Sequence, residues 1–141
     1  MPIQSPDVYV KDTGTAKGRG TYAARRFKAG ETVEESPVIL FEGSLEGLPI
    51  DVQRIVFNWS YLVDRSMGCH AFALGYGSMY NHANPANLRY SANTTSGRLV
   101  FAAARAIEAD EELTINYNAS AGEPESQEDS WFEMFEVEPI N

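Results

Sequence analysis

Cysteine and histidine are nearly absent from this chain. Its 141 residues include one cysteine, Cys69, and two histidines, His70 and His82. An internal disulfide is excluded. A closed zinc site needs four ligands at suitable spacing, and these residue types cannot supply it, so no metal site is expected. The adjacent Cys69-His70 reads as ordinary packing. No apolar run is long enough to cross a bilayer as a helix. The opening Met1-Pro2-Ile3-Gln4-Ser5 lacks the basic flank and apolar centre of a signal peptide. An intracellular setting is therefore expected, in the cytoplasm, nucleus or nucleoid. Basic residues are missing from Glu108 onward, a stretch that holds eleven acidic ones. The residues before it hold nine acids and eleven bases, so the net charge of −9 divides into +2 and −11. Such a field repels nucleic-acid phosphate and suits a cationic, Lys/Arg-rich protein partner. The plainer reading is a solvated tail that aids solubility.

What is present suits one globular domain: 43% hydrophobic and 22% charged residues on a chain long enough for a single core. No internal repeat is visible. Val8-Tyr9-Val10 reads as a short strand, Asp12 to Gly20 as a turn-rich loop, and Thr21 to Ala24 as extended chain. Lys28 to Glu31 looks like a turn. Thr32 to Phe41 reads as a strand that Pro37 makes an edge or bulged one. Ile55, Trp59 and Leu62 fall at i, i+4 and i+7, which predicts one helix over Asp51 to Val63 with Asp51 as its cap. Ala71 to Leu74, Leu88 to Ala92, Arg98 to Ala103 and Leu113 to Ile115 read as strands, the middle two joined by a turn at residues 93–97. Residues 119–130 are Ser/Gly/Glu-rich and read as loose. The Trp131-Phe132 step after them needs a surface to bury against. Many short strands with one or two helices predict a β-rich fold.

Three segments carry possible chemistry. In Lys17-Gly18-Arg19-Gly20, two glycines let the backbone approach a ligand closely; the same residues also make a plain tight turn. In Asn81-His82-Ala83-Asn84-Pro85-Ala86-Asn87, short amides and a histidine beside a proline suit a turn locked by hydrogen bonds, whether structural or functional. The third is Glu111-Glu112-Leu113-Thr114-Ile115-Asn116-Tyr117, a short strand ending in a tyrosine that packing alone would also explain.

Taken together and in this order, these segments resemble the SET domain family of S-adenosylmethionine-dependent protein-lysine methyltransferases, in its compact form without zinc-binding flanking modules. The family's glycine turn matches Gly18-Arg19-Gly20, its N-H-x-x-x-P-N element matches Asn81-His82 and Asn87, and its E-E-L-x-x-[DN]-Y close matches Glu111 through Tyr117. The resemblance covers about residues 7–118, and the last two motifs in combination are specific. There are departures. The proline sits one place early, at Pro85, and Asn84 stands where the family often has cysteine. Glu35 and Ser36 occupy the stretch where a strand tyrosine is often found.

The resemblance implies a mostly β fold of the β-clip/SET type, with several small curved sheets, one or two short helices and a C-terminal pseudoknot. It implies a SET domain over 1–118 and an acidic, aromatic closing segment over 119–141 in the same folding unit. The implied reaction moves a methyl group from S-adenosylmethionine to a lysine of a basic protein, such as a histone or histone-like protein. No direct nucleic-acid or membrane binding is implied. By residue-wise match, Tyr117 is the catalytic tyrosine and Tyr90 a second channel tyrosine, although Tyr90 also reads as an outward strand residue. Lys17, Gly18, Arg19, Gly20, Asn81 and the His82 backbone would hold the cofactor, which leaves His82 no part as a general base. Trp131 would cover adenine, or else plug a groove. The rival reading is a catalytically silent SET-like protein-binding module. Such a module would be expected to lack the terminal tyrosine or the Asn-His pair, and this chain keeps both.

Overall fold

Val8–Asp12 (β1) and Arg19–Ala23 (β2) form an antiparallel hairpin, paired from Val8↔Ala23 to Asp12↔Arg19. The structure is a computed structural model of the chain and describes residues 2–118 and 121–127. The loop between the two strands is closed twice by Thr13, whose N–H and hydroxyl both donate to the Gly18 carbonyl, at 2.7 and 2.6 Å. Gly18 turns the chain with φ +75°, a conformation that glycine adopts without a Cβ penalty.

Thr32–Glu42 (β3) is the longest strand. A bulge is present, but between Thr32 and Glu34 and not at Pro37, and the strand is not an edge one. β3 lies at the centre of a five-stranded sheet, in the order Val56–Phe57 (β4), Cys69–Ala73 (β5), β3, Arg98–Ala103 (β8), Leu88–Asn93 (β7). Thr32 to Pro37 pair with β8, and Val38 to Glu42 pair with β5. Pro37 stands where one ladder ends and the next begins, so a missing N–H is tolerated in the middle of the sheet.

The single helix expected over Asp51 to Val63 is two helices, Ile50–Gln53 (α1) and Trp59–Asp64 (α2). Pro49 takes the N-cap position of α1, and Asp51 lies in its first turn. Between the helices, Val56 and Phe57 pair with Phe72 and Ala71 of β5. The Asn58 side chain then restarts the helix by accepting the Tyr61 N–H at 3.3 Å. A β-branched and an aromatic residue beside an open sheet edge outweigh the helical spacing.

The second sheet runs β1, β2, Glu112–Ile115 (β9), Asn81–His82 (β6). Its β6–β9 pairing is parallel, Asn81↔Thr114 and His82↔Ile115. Residues 121–127, expected to be loose, return across the same region. Gly122 accepts the Tyr90 N–H at 3.0 Å and Pro124 accepts the Ala86 N–H at 2.8 Å. Residues 112–118 and 121–126 thus lie against residues 81–90 along two tracks, the juxtaposition that a C-terminal pseudoknot requires.

A short internal repeat joins the sheets, which corrects the expectation of none. The turns 23–31 and 103–111 face each other with reciprocal bonds: Phe27 N–H to Ile107 carbonyl and Ile107 N–H to Phe27 carbonyl, both 2.9 Å. Gly30 N–H donates to Ala103 carbonyl and Asp110 N–H to Ala23 carbonyl, both 2.7 Å. Each turn carries an ion pair in the same place, Arg25–Glu31 at 2.8 Å and Arg105–Glu111 at 2.5 Å. Five of the nine positions are identical, Ala23/Ala103, Ala24/Ala104, Arg25/Arg105, Ala29/Ala109 and Glu31/Glu111, so the repeat is written in the sequence as a short A-A-R-x-x-x-A-x-E pattern. The core packs Phe27, Leu88, Leu99, Phe101, Ile107 and Leu113 between the sheets, each buried. No helix among the described residues is long and apolar enough to cross a membrane.

Candidate functional site

β6, β9 and the end of β2 bring the three motif segments to one place. Asn87 fastens it. Its Oδ1 accepts the Thr114 N–H at 2.8 Å, and its Nδ2 donates to the Glu112 carbonyl at 2.7 Å. Asn87 is 3% exposed, and a buried amide satisfied on both sides holds its neighbours in one arrangement. One turn earlier, Asn81 Nδ2 donates to the Arg19 carbonyl and to the Glu112 carboxylate, both at 2.8 Å. A single side chain therefore ties the glycine turn to β9.

The glycines of that turn differ in role. A Cβ on Gly20 would lie 2.6 Å from Glu112 Oε2, so this position is needed for close packing; a Cβ on Gly18 would face open space. Lys17 reaches across the turn, its Nζ donating to the His82 carbonyl at 3.0 Å. His82 Nδ1 accepts the Tyr117 N–H at 3.2 Å, and the two rings lie 5.4 Å apart. That nitrogen is committed to holding the backbone of Tyr117.

The Tyr117 hydroxyl donates to the Tyr80 carbonyl at 2.8 Å. Burial first and the Glu112 charge second push this hydroxyl up to about 12. Tyr90 is 8% exposed, edge-on to Phe57 at 5.1 Å and tilted against Phe101 at 5.9 Å. It is an inward residue, which removes the outward-strand reading. Burial raises its hydroxyl pKa as well.

The sequence profile of the SET domain matches residues 18–118. The chain belongs to the SET domain family. A relative from Schizosaccharomyces pombe, named a histone-lysine N-methyltransferase specific for H3 lysine-37, is 32% identical over 117 residues, 83% of this chain and 77% of its own. Among solved structures, a Plasmodium falciparum protein described as a histone methyltransferase superposes with a TM-score of 0.61 at 22% identity, covering 80% of this chain and 98% of that one. A polycomb repressive complex 2 structure in an autoinhibited conformation, bound to S-adenosylmethionine, has a TM-score of 0.61 at 21% identity and covers 83% of this chain. The SET domain here spans 16% of that larger chain. The structural likenesses carry the fold. With the family and the curated relative, the protein is a protein-lysine methyltransferase, and the silent-module reading is not favoured.

Within this SET domain the structure brings Lys17, Gly18, Arg19, Gly20, Asn81, His82 and Tyr117 together, with Tyr90 in the adjoining aromatic cluster. Trp131 lies outside the described residues. Three members of the site were missed from sequence. Glu112 sits between Gly20 and Asn81 and could have been suspected from its place inside the third motif. Glu34 and Tyr80 form a buried pair, the Tyr80 hydroxyl 2.5 Å from Glu34 Oε1. No local pattern marks that pair, because its partners are 46 residues apart.

Proposed function

We propose that this lysine methyltransferase takes S-adenosylmethionine as methyl donor and a lysine of a basic, histone-like protein as acceptor, with Tyr117 at the transfer point. The observation that carries the reading is the meeting of the Gly18–Gly20 turn, Asn81-His82 and Tyr117 through direct hydrogen bonds. The residues fit such a cofactor. Gly18 opens onto free space, the Glu112 carboxylate favours cationic groups, and Lys17 offers a cation for a carboxylate. Asn81 and the backbone of residues 17–20 would take the amino-acid part, and the His82 backbone the adenine. When bound, the cofactor supplies an electrophilic methyl group on a sulfonium sulfur.

The chain's own part is positioning and charge. In-line alignment of amine, methyl and sulfur is where most rate enhancement can arise. A free lysine has a pKa of about 10.4, so a neutral amine near pH 7 costs roughly 4 to 5 kcal/mol unless the site lowers that value. Buried rings, here Tyr90, Phe57 and Phe101, disfavour the ammonium form. Tyr117 keeps its proton and donates it to the Tyr80 carbonyl, so it orients groups and does not remove the proton from the amine; His82 Nδ1 is occupied. The amine's proton therefore leaves to solvent before transfer. The S. pombe relative acts on histone H3 according to its name. The −11 charge from Glu108 onward suits a basic protein of that kind.

The test is transfer of radiolabelled methyl from S-adenosylmethionine to a panel of core histones and other basic proteins, followed by mapping of the modified residue. Label on lysine that resists chelator treatment is the expected result. Absence of label on every basic protein, with cofactor binding intact by calorimetry, would return the protein to the silent-module class.

A further inference from the structure

A carboxylate is an expensive group to bury, because its charge loses hydration that nothing apolar can replace. Glu34 is 5% exposed, yet makes no ion pair among the described residues. Its two oxygens are instead met by both ends of one short stretch. Oε2 accepts the Tyr76 N–H at 2.8 Å and Oε1 accepts the Tyr80 hydroxyl at 2.5 Å. The stretch is moulded onto the carboxylate. Gly75, at φ +66°, has no space for a side chain, since a Cβ there would lie 2.7 Å from Glu34 Oε2. A Cβ on Gly77 would lie 2.7 Å from both Ser36 Oγ and Ala73 Cβ. Ser78 hydroxyl pins the middle to the Ala73 carbonyl at 2.8 Å. The Tyr80 ring, 2% exposed, rests 4.9 Å from the Phe101 ring. The carbonyl of Tyr80 receives the Tyr117 hydroxyl, and the next residue is Asn81.

We propose that Glu34 and Tyr80 are a positioning pair for methyl transfer: the buried carboxylate fixes the Tyr80 side chain, and with it the carbonyl that orients the Tyr117 hydroxyl. The proposal rests on the reading of Tyr117 as the catalytic tyrosine. An apolar residue at 34 would fill the same volume without the desolvation cost, but would hold no hydroxyl at a defined point. The carboxylate adds a fixed distance between β3 and the start of the Asn-His motif. Neither residue touches the reacting atoms. Their effect runs through the backbone of residue 80.

Tyr80→Phe is the decisive variant. It deletes one oxygen, keeps the ring against Phe101 and keeps the carbonyl that Tyr117 uses. Two quantities are read: steady-state methyl transfer to core histones, and the 13Cζ resonance of Tyr117, assigned by its loss in Tyr117→Phe. The expected result is a kcat lowered about tenfold per folded molecule, with KM and the cofactor Kd within about twofold, and a shifted Tyr117 signal. Glu34→Gln keeps one acceptor for the Tyr80 hydroxyl and should retain more turnover than Glu34→Ala. Should Glu34→Ala fail to fold, Tyr80→Phe decides alone. An unmoved Tyr117 resonance with wild-type kcat in Tyr80→Phe would overturn the pair as a positioning device, even if melting temperature fell. If wild-type protein labels no histone, the functional reading fails separately, and the Tyr117 resonance still decides whether the pair sets that hydroxyl.

Discussion

Burial and the neighbouring Glu112 carboxylate hold the Tyr117 hydroxyl up at about 12, so in the proposed reaction it acts in its protonated form. Below that pH it is a donor, so the rate should rise with pH as the acceptor amine loses its proton, and no limb of the profile below about pH 11 should belong to Tyr117. Tyr117→Phe removes one oxygen and little volume. Turnover should fall on the order of 10²-fold, about 2.7 kcal/mol, with cofactor affinity nearly kept and the shape of the pH profile unchanged. Near wild-type transfer by a folded variant would remove Tyr117 from the mechanism. Glu34 makes an opposite kind of prediction. Burial raises its pKa above 4.5, against the pull of its bonds from Tyr80 and Tyr76. A carboxyl whose folded pKa is raised contributes its stability in full below the unfolded value and loses it as pH rises through the folded one. The unfolding free energy of wild type minus that of Glu34→Gln should therefore be largest near pH 4 and shrink toward pH 8, as measured by urea titration at each pH. A difference that grows with pH would show the carboxylate to be better stabilised folded than unfolded.

At the scale of the element, residues 121–127, the described part of the stretch that the sequence presented as loose, are held by a clasp of short amides. Asn84 Nδ2 donates to the Ser126 carbonyl at 2.8 Å, and Ser126 N–H donates back to Asn84 Oδ1 at 3.2 Å. Asn116 Nδ2 donates to Ser126 Oγ at 2.9 Å. Gly122, at φ +82°, admits no side chain, since its Cβ would lie 1.9 Å from the Tyr90 carbonyl. Asn84→Ala should cost about 1 kcal/mol in urea unfolding. It should also speed proteolysis after residue 118 while a core of residues 1–118 survives. Equal cleavage rates would mean that the clasp does not hold the segment. Gly122→Ala should do the same more severely. Local motifs were legible before the fold, because the glycine turn, the Asn-His segment and the Glu111–Tyr117 strand each keep their spacing along the chain. The rest depends on contacts between distant residues. A period-2 reading of β3 buries Val33 and Glu35 on one face, but the bulge after Thr32 keeps Val33 buried and turns Glu34 and Ser36 inward in place of Glu35. The break between α1 and α2 depends on the open edge of β5, and the clasp depends on residues 84 and 126 meeting. None of these is written in a window of sequence.

At the scale of the whole molecule, charge and topology act together. The parallel β6–β9 pairing lays β9, with Glu112, beside the site, and the stretch from Glu108 onward holds eleven acidic residues and no basic residue of its own. Fields of this kind act mainly on encounter with a cationic partner and are screened over about 8 Å at physiological salt. The KM for a basic protein should therefore rise steeply between roughly 50 and 200 mM NaCl, while kcat changes little. A chain ending at Gln127 keeps Ser126 and its bonds to Asn84 but drops five acids, taking the net charge from −9 to −4. It also drops Trp131, so two effects separate. If the acidic end steers substrate, the salt dependence of KM should flatten in the shortened chain. If Trp131 also covers adenine, the Kd for S-adenosylmethionine should weaken as well, at every salt concentration. A chain ending at Pro124 loses the clasp in addition and should show the proteolytic sensitivity of Asn84→Ala. Unchanged KM, salt slope and Kd in the chain ending at Gln127 would show that neither substrate steering nor cofactor closure depends on residues 128–141, and would leave recognition to the acids between Glu108 and Glu125.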